Sequence, residues 1–237
     1  MTTSVIVVTY RTPPALLARC LASIKTNNLP PPIIVDNTAH NIGFAAAANV
    51  GAEKSTADLL LFLNPDAALS AGAYATAPRY LAQNLSCGIV GLLLVSERGL
   101  PEQSFGPSVT PLSLFTRHWR SQFLPPRPTT VGWVSGGALL IRRALFEQLH
   151  GFDPRFFLYW EDVDLCRRAR EAGARVVVLP AATVTHQRGA SLIDRAEKTR
   201  LFDQSADKYF RKYYATSICA GLRGARALYR LVSPLVD

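Results

Sequence analysis

Short, fully apolar runs alternate with segments of helical periodicity along the first 95 residues. Residues 4–9, 33–35, 59–63 and 89–95 are rich in Val, Ile and Leu, which is typical of strands buried on both faces. Helical patterns follow the prolines at 13–14 and then cover 45–50 and 74–85. The alternation predicts an α/β fold, in which a mostly parallel sheet is sandwiched by helices.

Polar residues stand at the carboxyl ends of three predicted strands. They are Thr9-Tyr10-Arg11, Asp36-Asn37 and Asn64-Pro65-Asp66. Open parallel sheets bind their ligands beyond the carboxyl ends of the strands. We therefore expect the three ends to share one rim of the sheet.

The second half of the chain starts with a proline-rich stretch, residues 96–130, which predicts a long loop with a short helix near 112–120. Long loops in compact domains are often lids or binding loops. Strands are predicted again at 139–141 and 175–179, the second followed by a short run at 184–186. Helices are predicted at 143–149 and at 162–172, where Gly173 gives a typical helix end.

Composition narrows the class of protein. With 237 residues, of which 49% are apolar, the chain suits one compact domain with a sizeable core. A net charge of +9 suits a polyanionic ligand, an anionic membrane surface or nucleic acid, and does not choose among them.

The four cysteines are far apart, which favours free thiols in a reducing compartment over zinc or disulfides. No apolar run reaches the length of a membrane span or of a signal-peptide core, so we expect a cytoplasmic protein.

The turn Asn64-Pro65-Asp66 fixes a carboxylate at a strand tip, because proline forces an extended entry and a tight turn. Mg²⁺ and Mn²⁺ prefer oxygen ligands and also bind substrate phosphates, so Asp66 is a candidate metal ligand. An Asx-type turn, in which Asp66 only caps the next helix, explains the same residues. The turn alone leaves both interpretations open.

Three carboxylates, Glu161, Asp162 and Asp164, lie at the predicted start of a helix, next to the aromatic run at 156–160. The helix dipole stabilises acidic groups there, which is a structural explanation for at least one of them. The aromatic residues would also desolvate the carboxylates. Desolvation raises the pKa of a carboxyl group and makes it a better base for activating a hydroxyl.

Other candidates each have a plain structural alternative. A lone histidine such as His186 is more often hydrogen-bonded in the structure than a ligand. Gly136-Gly137 is either a turn or a place where a substrate approaches the backbone. Asp36 either caps its strand or accepts hydrogen bonds from a base or a ribose, and Asn41 is weaker still.

The order of these residues along the chain is more specific than any one of them. The blocks are residues 4–10, 35–37, 41–51, 63–67, 135–138, 151–157 and 159–168, followed by His186. In these blocks, the chain resembles family 2 glycosyltransferases of the A-type (GT-A) fold, and most of all their rhamnosyltransferase-like branch. The resemblance covers residues 3–190 and implies a Rossmann-like GT-A architecture.

The resemblance also implies a donor site. The donor would be a nucleoside-diphosphate sugar, such as dTDP-rhamnose or another sugar on UDP. Its contacts would be at the three strand ends: Thr9, Tyr10, Arg11, Asp36, Asn41, Asn64 and Asp66. Asp66 and His186 would hold Mg²⁺ or Mn²⁺ at the diphosphate.

A glycan or lipid-linked acceptor is implied as the second substrate, in the synthesis of a cell-wall or surface polysaccharide. Asp162 would be the general base that takes the proton of the acceptor hydroxyl. One base opposite the leaving group implies a single displacement with inversion. The residues implied to contact the acceptor are Gly136, Gly137, Trp160 and Glu161.

Two features depart from the family pattern at the donor site. Asn64 stands where many members have aspartate, so Asp66 is the only carboxylate of the metal motif. The segment between Asn37 and Asn41 is too short for the helix and strand that members usually have there. This puts one wall of the nucleoside pocket in question.

We expect a GT-A domain at 1–206, with a nucleotide-sugar-binding half at 1–95 and an acceptor-binding, catalytic half at 131–190. A basic segment at 207–237 is expected to be helical and amphipathic. It is either a solvated helix packed on the domain or a peripheral contact with an anionic membrane. The second interpretation suits an enzyme with a lipid-linked acceptor, and we favour it.

Two other functions compete with a transferase. A non-catalytic protein that binds nucleotide sugars on the same fold would explain the short segment after Asn37, although the retained Asp162 argues against it. Nucleic-acid binding rests only on the positive charge, and no recognisable motif supports it. We therefore expect no nucleic-acid partner.

Overall fold

The computed structural model describes residues 1–115, 124–187, 194–222 and 224. Its strands are β1 (Thr3–Thr9), β2 (Ile33–Asp36), β3 (Leu59–Leu63), β4 (Ala67–Leu69), β5 (Cys87–Val95), β6 (Phe105–Gly106), β7 (Thr129–Thr130), β8 (Trp133–Val134), β9 (Ala138–Arg142) and β10 (Arg175–His186). Its helices are α1 (Pro14–Thr26), α2 (Phe44–Glu53), α3 (Ala73–Gln83), α4 (Pro111–Phe115), α5 (Arg143–Gln148), α6 (Glu161–Glu171) and α7 (Arg195–Tyr213).

The main sheet has the strand order β2-β1-β3-β9-β5-β10-β4, and β7 also pairs with β10. β1 is parallel to β2 and to β3, and β5 is parallel to β10. β9 runs antiparallel between β3 and β5, which leaves β1, β2, β3, β5 and β10 pointing in one direction. The predicted α/β fold with a mostly parallel sheet is confirmed.

Both faces of the central strands are buried, which explains their continuous apolar sequences. In β3, Leu60 and Phe62 belong to one core cluster, whereas Leu59, Leu61 and Leu63 belong to another on the opposite face. This follows from the alternation of side chains along a strand. Helices α2 and α6 cover the first face, and α1 and α3 cover the second.

The bounds differ from the sequence pattern at a few points. β10 is one strand with an irregularity between Leu179 and Thr183, where the pattern predicted two separate runs. A helix was predicted near 112–120. The observed helix α4 covers residues 111–115, and residues 116–120 lie outside the described residues.

Helix α7 runs unbroken through residues 206 and 207, where the sequence suggested a boundary. Its Tyr209 and Phe210 are buried against the domain. Lys212 Nζ lies 2.6 Å from an oxygen of Asp164 and 2.8 Å from one of Asp153. Residues 207–213 therefore pack on the domain, while 223 and 225–237 of the predicted basic segment lie outside the described residues. Within the described part of the chain, no helix is both long and apolar enough to span a membrane.

Candidate active site at the carboxyl rim of the sheet

The strand ends meet at one rim, as expected. Thr9 is paired with Asp36 across β1 and β2, and Asn64 follows β3 directly. The reversed β9 contributes its amino end to the same rim, since Leu63 pairs with Ala138. The backbone N–H of Asn64 donates to the carbonyl of Gly137 at 3.0 Å. The antiparallel strand thus places Gly137 next to Asn64, although the two residues are 73 positions apart in the sequence.

A cavity of about 310 Å³ opens at this rim. Five of the residues predicted for the donor or the metal line it: Tyr10, Asn41, Asn64, Asp66 and His186. Its apolar walls include Phe44 and Phe157, and Lys198 reaches it from α7. We call this the donor cavity, after the donor residues that the sequence predicted here.

Asp66 and His186 lie side by side in the donor cavity. His186 ends β10, which pairs with β4 so that His186 is opposite Ala67. This register brings His186 Nε2 within 3.3 Å of Asp66 Oδ1. On the other side of the ring, His186 Nδ1 lies 2.9 Å from Oε2 of the buried Glu102. Burial lowers the pKa of His186, but hydrogen bonds to Asp66 and Glu102 and their negative charges outweigh it, so the pKa is raised.

The donor set at this point fits a divalent ion with two protein ligands. A carboxylate oxygen and an imidazole nitrogen converge, and a carboxylate holds the far side of the imidazole, as is common for histidines that bind metal. No group of three or more His, Cys, Asp or Glu residues suited to a metal occurs among the described residues. The remaining ligands would have to come from a diphosphate and water, which is the usual arrangement for Mg²⁺ with phosphates.

The short segment after β2 is a tight turn that Asn37 holds together. Asn37 Oδ1 accepts from the N–H of Ile42, and its Nδ2 donates to Asn41 Oδ1 at 3.0 Å. Asp36 Oδ1 accepts from Thr38 N–H, and hydrogen bonds from Thr38 lower the pKa of Asp36. β2 is an edge strand, and Asp36 is exposed and not among the residues that line the donor cavity.

The remaining predicted donor residues flank the donor cavity. Thr9 is buried, between Val8 and Tyr10, which line the cavity. Arg11 has a left-handed backbone with φ of 49°, and its guanidinium lies 5.3 Å from the centre of the Tyr10 ring. Arg11, Tyr10 and Asn41 also line a neighbouring cavity of about 470 Å³, together with residues of α7.

Gly43 and Asn49 hold the start of α2 and its middle against the loop at residues 152–157. Gly43 has φ of +85°, and a Cβ there would lie 2.5 Å from the carbonyl oxygen of Phe157. That carbonyl accepts from Phe44 N–H at 2.7 Å. Asn49 makes two hydrogen bonds with the backbone of Phe152, at 2.8 and 2.9 Å. Gly43 also lines the donor cavity, whereas Asn49 does not and acts only by positioning the loop.

A second cavity, of about 290 Å³, adjoins the donor cavity, and we call it the acceptor cavity. The residues predicted for the acceptor and the base line it together: Gly136, Gly137, Trp160, Glu161 and Asp162. Further lining residues are Gln103, Ser135, Tyr159 and Phe202. A Cβ on Gly137 would lie 3.3 Å from Asn64 Nδ2, so a side chain there would crowd the junction of the two cavities.

Asp162 is held by backbone N–H groups on both carboxylate oxygens. Gly136 N–H donates to Oδ2 at 2.9 Å and Val163 N–H to Oδ1 at 2.8 Å. Burial raises the pKa of Asp162, and the hydrogen bond from Gly136 only partly offsets this. The result is an oriented carboxylate with increased basicity.

The turn before α6 is strained and directs the two acids inward. Tyr159 and Trp160 both have left-handed backbones, with φ of 67° and 70°, a conformation that costs non-glycine residues free energy and often marks functional sites. Trp160 is buried against Phe202, Tyr209 and Phe210. Trp160 is the residue before the first turn of α6, which begins at Glu161. Glu161 and Asp162 both line the acceptor cavity.

Asp164 has a different role from its neighbours. Its side chain is fully buried, and it pairs with Arg168 at 2.7 Å and Lys212 at 2.6 Å. Tyr213 O–H donates to it at 2.7 Å. Of the three acids, Asp164 is the structural one, and it ties α6 to α7.

Sequence reasoning missed four residues of the site. Glu102 and Gln103 lie in a proline-rich stretch without periodicity, and nothing in the pattern singles them out. Lys198 and Phe202 lie on a helix whose docking depends on distant contacts, such as Lys212 with Asp164. Lys198 is one of several basic residues on an amphipathic helix, a pattern that the sequence does show. The sequence does not show which of these residues points towards the donor cavity.

Comparison with known proteins identifies the family. A family model described as "Glycosyltransferase like family 2" matches residues 33–215. N-acetylglucosaminyl-diphospho-decaprenol L-rhamnosyltransferase of Mycobacterium tuberculosis (strain H37Rv) is 44% identical over 81 residues, which cover 34% of this chain and 26% of that protein. Pre-mycofactocin glycosyltransferase of the same strain is 30% identical over 169 residues, which cover 70% of this chain and 35% of that protein. The chain thus matches about a quarter to a third of the length of these two relatives.

Solved structures agree on the fold. GalNAc-T7 with UDP, GalNAc and Mn²⁺ superposes with a TM-score of 0.60 at 16% identity, over 89% of this chain and 50% of that chain. S. aureus TarS 1-349 gives 0.56 at 16% identity, over 89% of this chain and 72% of that chain. The GT-A fold that the sequence implied is therefore confirmed. The chain belongs to the family 2-like glycosyltransferases.

Proposed function

We propose that the rim is the active site of an inverting glycosyltransferase that uses a divalent metal ion. The observation that carries the proposal is the adjacency of two chemically different cavities. They share Phe44, Asn64, Leu158 and Tyr159 as lining residues. A donor held on one side of this junction would present its sugar to an acceptor held on the other.

The charges of the donor cavity suit a nucleoside diphosphate. Lys198 lines it beside Asp66 and His186, and an ammonium group of this kind stabilises diphosphate oxygens. Asp66 and His186 would hold Mg²⁺ or Mn²⁺. When bound, the ion would offset the negative charge that builds up on the leaving nucleoside diphosphate.

Asp162 suits the role of general base. Its two backbone hydrogen bonds fix its direction, and burial raises its pKa. Asp162 would accept the proton of the acceptor hydroxyl as that oxygen bonds to the anomeric carbon and the bond to the diphosphate breaks. A single base in the cavity beside the donor supports one displacement, and hence inversion.

The relatives support particular sugars as donor and acceptor. One relative is called an L-rhamnosyltransferase acting on N-acetylglucosaminyl-diphospho-decaprenol, which supports dTDP-rhamnose as donor and a lipid-linked sugar as acceptor. A UDP-sugar is the second candidate donor, because two proteins of similar fold, GalNAc-T7 and S. aureus TarS 1-349, have been solved with UDP. Such an enzyme would work on the cytoplasmic face of a membrane, in surface polysaccharide synthesis.

The proposal is tested by nucleotide release from a panel of dTDP- and UDP-sugars, with Mn²⁺, with Mg²⁺ and with a chelator. We expect one donor to be bound and turned over only with metal, and Asp66→Ala to lose this activity. Asp58→Asn is the matched control, because Asp58 lies at the other end of β3, bonded to Thr2. If no donor is bound or hydrolysed, or if Asp66→Ala equals the wild type, the proposal fails. Nucleotide-sugar binding without any turnover would favour a non-catalytic binding protein.

A further inference from the structure

We propose that Glu161 and Gln103 together form a hydrogen-bonding subsite for the hydroxyl groups of an uncharged sugar in the acceptor cavity. The inference rests on the proposed function, because it assigns the chemistry of the acceptor that the cavity takes. It goes further in naming Gln103 as a specificity residue and in giving Glu161 a role separate from that of Asp162.

Two buried polar atoms in the acceptor cavity lack a partner. Glu161 is 5% exposed, and its Oε2 has no hydrogen-bond partner within the described chain. The same holds for Nε2 of Gln103. Both residues line the same cavity, although they come from distant segments. Buried polar atoms are nearly always paired, so two unpaired ones on residues that line one cavity indicate a ligand that pairs with both.

The charges around the acceptor cavity indicate an uncharged ligand. Its ionisable lining residues include the carboxyl groups Glu161 and Asp162, and among the described residues it has no Lys, Arg or His. An anionic acceptor group would therefore meet carboxyl groups without a counter-ion. The donor cavity next to it has the ammonium group of Lys198 beside Asp66 and His186. The donor cavity therefore offers a cation to a diphosphate, whereas the described lining of the acceptor cavity offers none.

The state of Glu161 fits this ligand. Burial, together with the negative charge of Asp162, raises the pKa of Glu161 well above its usual range. A neutral carboxyl group offers one O–H donor and an acceptor oxygen, and the Gln103 amide offers N–H donors. Neighbouring hydroxyls on a sugar ring can accept from one group and donate to the other. Tyr159 and Phe202, with ring centres 5.8 Å apart, supply apolar surface beside these polar groups.

A purely structural role explains Glu161 less well. Acidic groups at the start of a helix are stabilised as anions by the helix dipole and by free backbone N–H groups. Glu161 is the first residue of α6, yet its Oε2 is left without a donor. Asp164 shows what a structural acid looks like in this helix, since its two oxygens bond to Arg168, Lys212 and Tyr213.

The test measures sugar binding directly, so that it does not depend on turnover. Methyl β-glucoside, methyl N-acetyl-β-glucosaminide and methyl β-glucuronide are titrated into the full chain with UDP and Mg²⁺, and their binding is followed by ligand-observed NMR. We expect a neutral glycoside to bind more tightly than the glucuronide. Gln103→Leu and Glu161→Leu should each weaken the neutral glycoside about fivefold, the loss expected for one hydrogen bond.

Glu161→Gln is the decisive variant, because it keeps the size and the hydrogen-bonding capacity of a neutral carboxyl group. We expect it to bind the neutral glycoside about as well as the wild type, within about twofold. Melting curves and UDP affinity show that each variant is folded. The proposal is overturned if Glu161→Gln weakens binding as much as Glu161→Leu, if neither leucine variant matters, or if the glucuronide binds as tightly as the neutral sugars. If the chain binds the neutral glycoside but neither binds a nucleotide nor releases one from a donor, the sugar subsite is supported and the proposed transferase function fails.

Discussion

His186 Nδ1 lies 2.9 Å from Oε2 of Glu102, on the side of the ring opposite Asp66. Glu102 is buried and precedes Gln103 of the acceptor cavity. The carboxylate fixes the orientation of the imidazole and so directs Nε2 towards Asp66. The proline-rich stretch therefore contributes a positioning residue to the donor cavity and, next to it, a candidate specificity residue to the acceptor cavity.

Replacing Glu102 should weaken metal binding more than it slows the reaction. In Glu102→Gln, the imidazole loses a charged partner, and such changes cost about 10- to 100-fold in metal affinity. We expect the Mn²⁺ concentration for half-maximal activity to rise by about this factor, with most of kcat restored at saturating Mn²⁺. Glu97→Gln is the control, since Glu97 makes only an exposed ion pair with Arg19 in the described structure. An unchanged Mn²⁺ requirement in Glu102→Gln would show that Glu102 does not act through His186.

Lys198 should determine how tightly the donor binds. Its ammonium group would face the diphosphate, and a hydrogen bond to a charged group contributes about 1.5–3 kcal/mol. Lys198→Met keeps the length of the side chain and removes the charge, so we expect the donor KM to rise by about tenfold or more. Lys198→Arg retains the charge and should stay close to the wild type. Equal donor KM values for the methionine variant and the wild type would exclude Lys198 from diphosphate binding.

The pH dependence of kcat/KM should reflect the pair of acids at the start of α6. Burial raises the pKa of Asp162, and burial with the charge of Asp162 raises that of Glu161. A base must be deprotonated to work, so kcat/KM should fall as the pH drops through the raised pKa of Asp162. The acid limb should lie above the ordinary aspartate value of about 3.9, and its midpoint belongs to the coupled pair.

Glu161→Gln replaces the second acid of this pair with a group that does not titrate. It should move the acid limb only slightly, because the charge of Asp162 makes Glu161 the first of the two acids to take up a proton as the pH falls. The measurement is kcat/KM for the acceptor, at saturating donor, between mildly acidic and neutral pH. An acid limb at the ordinary aspartate value, or no acid limb in that range with Asp162 still essential, would contradict the assignment of Asp162 as a buried base.

The sequence predicts the parts of the site that follow from local patterns. The strand ends at Thr9, Asp36 and Asn64 share a rim because parallel strands end together, and β10 delivers His186 to it. The position of Gly136-Gly137 could not be predicted from local patterns, because it depends on β9 running against its neighbours. That direction is set by pairing with β3 and β5, for example Leu63 with Ala138 and Gly91 with Leu139, which are far apart in the sequence.

Residues that act through long-range contacts were also beyond the sequence pattern. Asp162 and Asp164 are two positions apart on one helix, and only the packing of α7 separates the site acid from the structural one. The interpretation of residues 207–213 changed for the same reason. Two basic residues of the suggested membrane segment contact the domain instead. Lys208 Nζ donates to the backbone carbonyl of Arg155, and Lys212 Nζ contacts Asp153 and Asp164.

The contact of Lys212 with Asp164 should contribute strongly to stability. Removing one member of a buried ion pair costs about 3–5 kcal/mol, because the other charge is left without its partner. For Lys212→Met we expect the lower end, about 3 kcal/mol, since Arg168 and Tyr213 still bond to Asp164. Urea unfolding measures this, with Arg211→Met as the control because Arg211 is exposed. Equal free energies of unfolding for the two variants would mean that α7 does not depend on this pair.

Asp162, which lines the acceptor cavity, is the proposed base for sugar transfer. This role is tested most directly by measuring kcat and nucleotide affinity for Asp162→Asn with the donor that the wild type turns over. Loss of a general base costs about 10²- to 10⁴-fold in rate, so we predict a fall in kcat within that range while the affinity for the nucleoside diphosphate and Mn²⁺ is kept. An Asp162→Asn variant that transfers sugar at the wild-type rate would contradict the account.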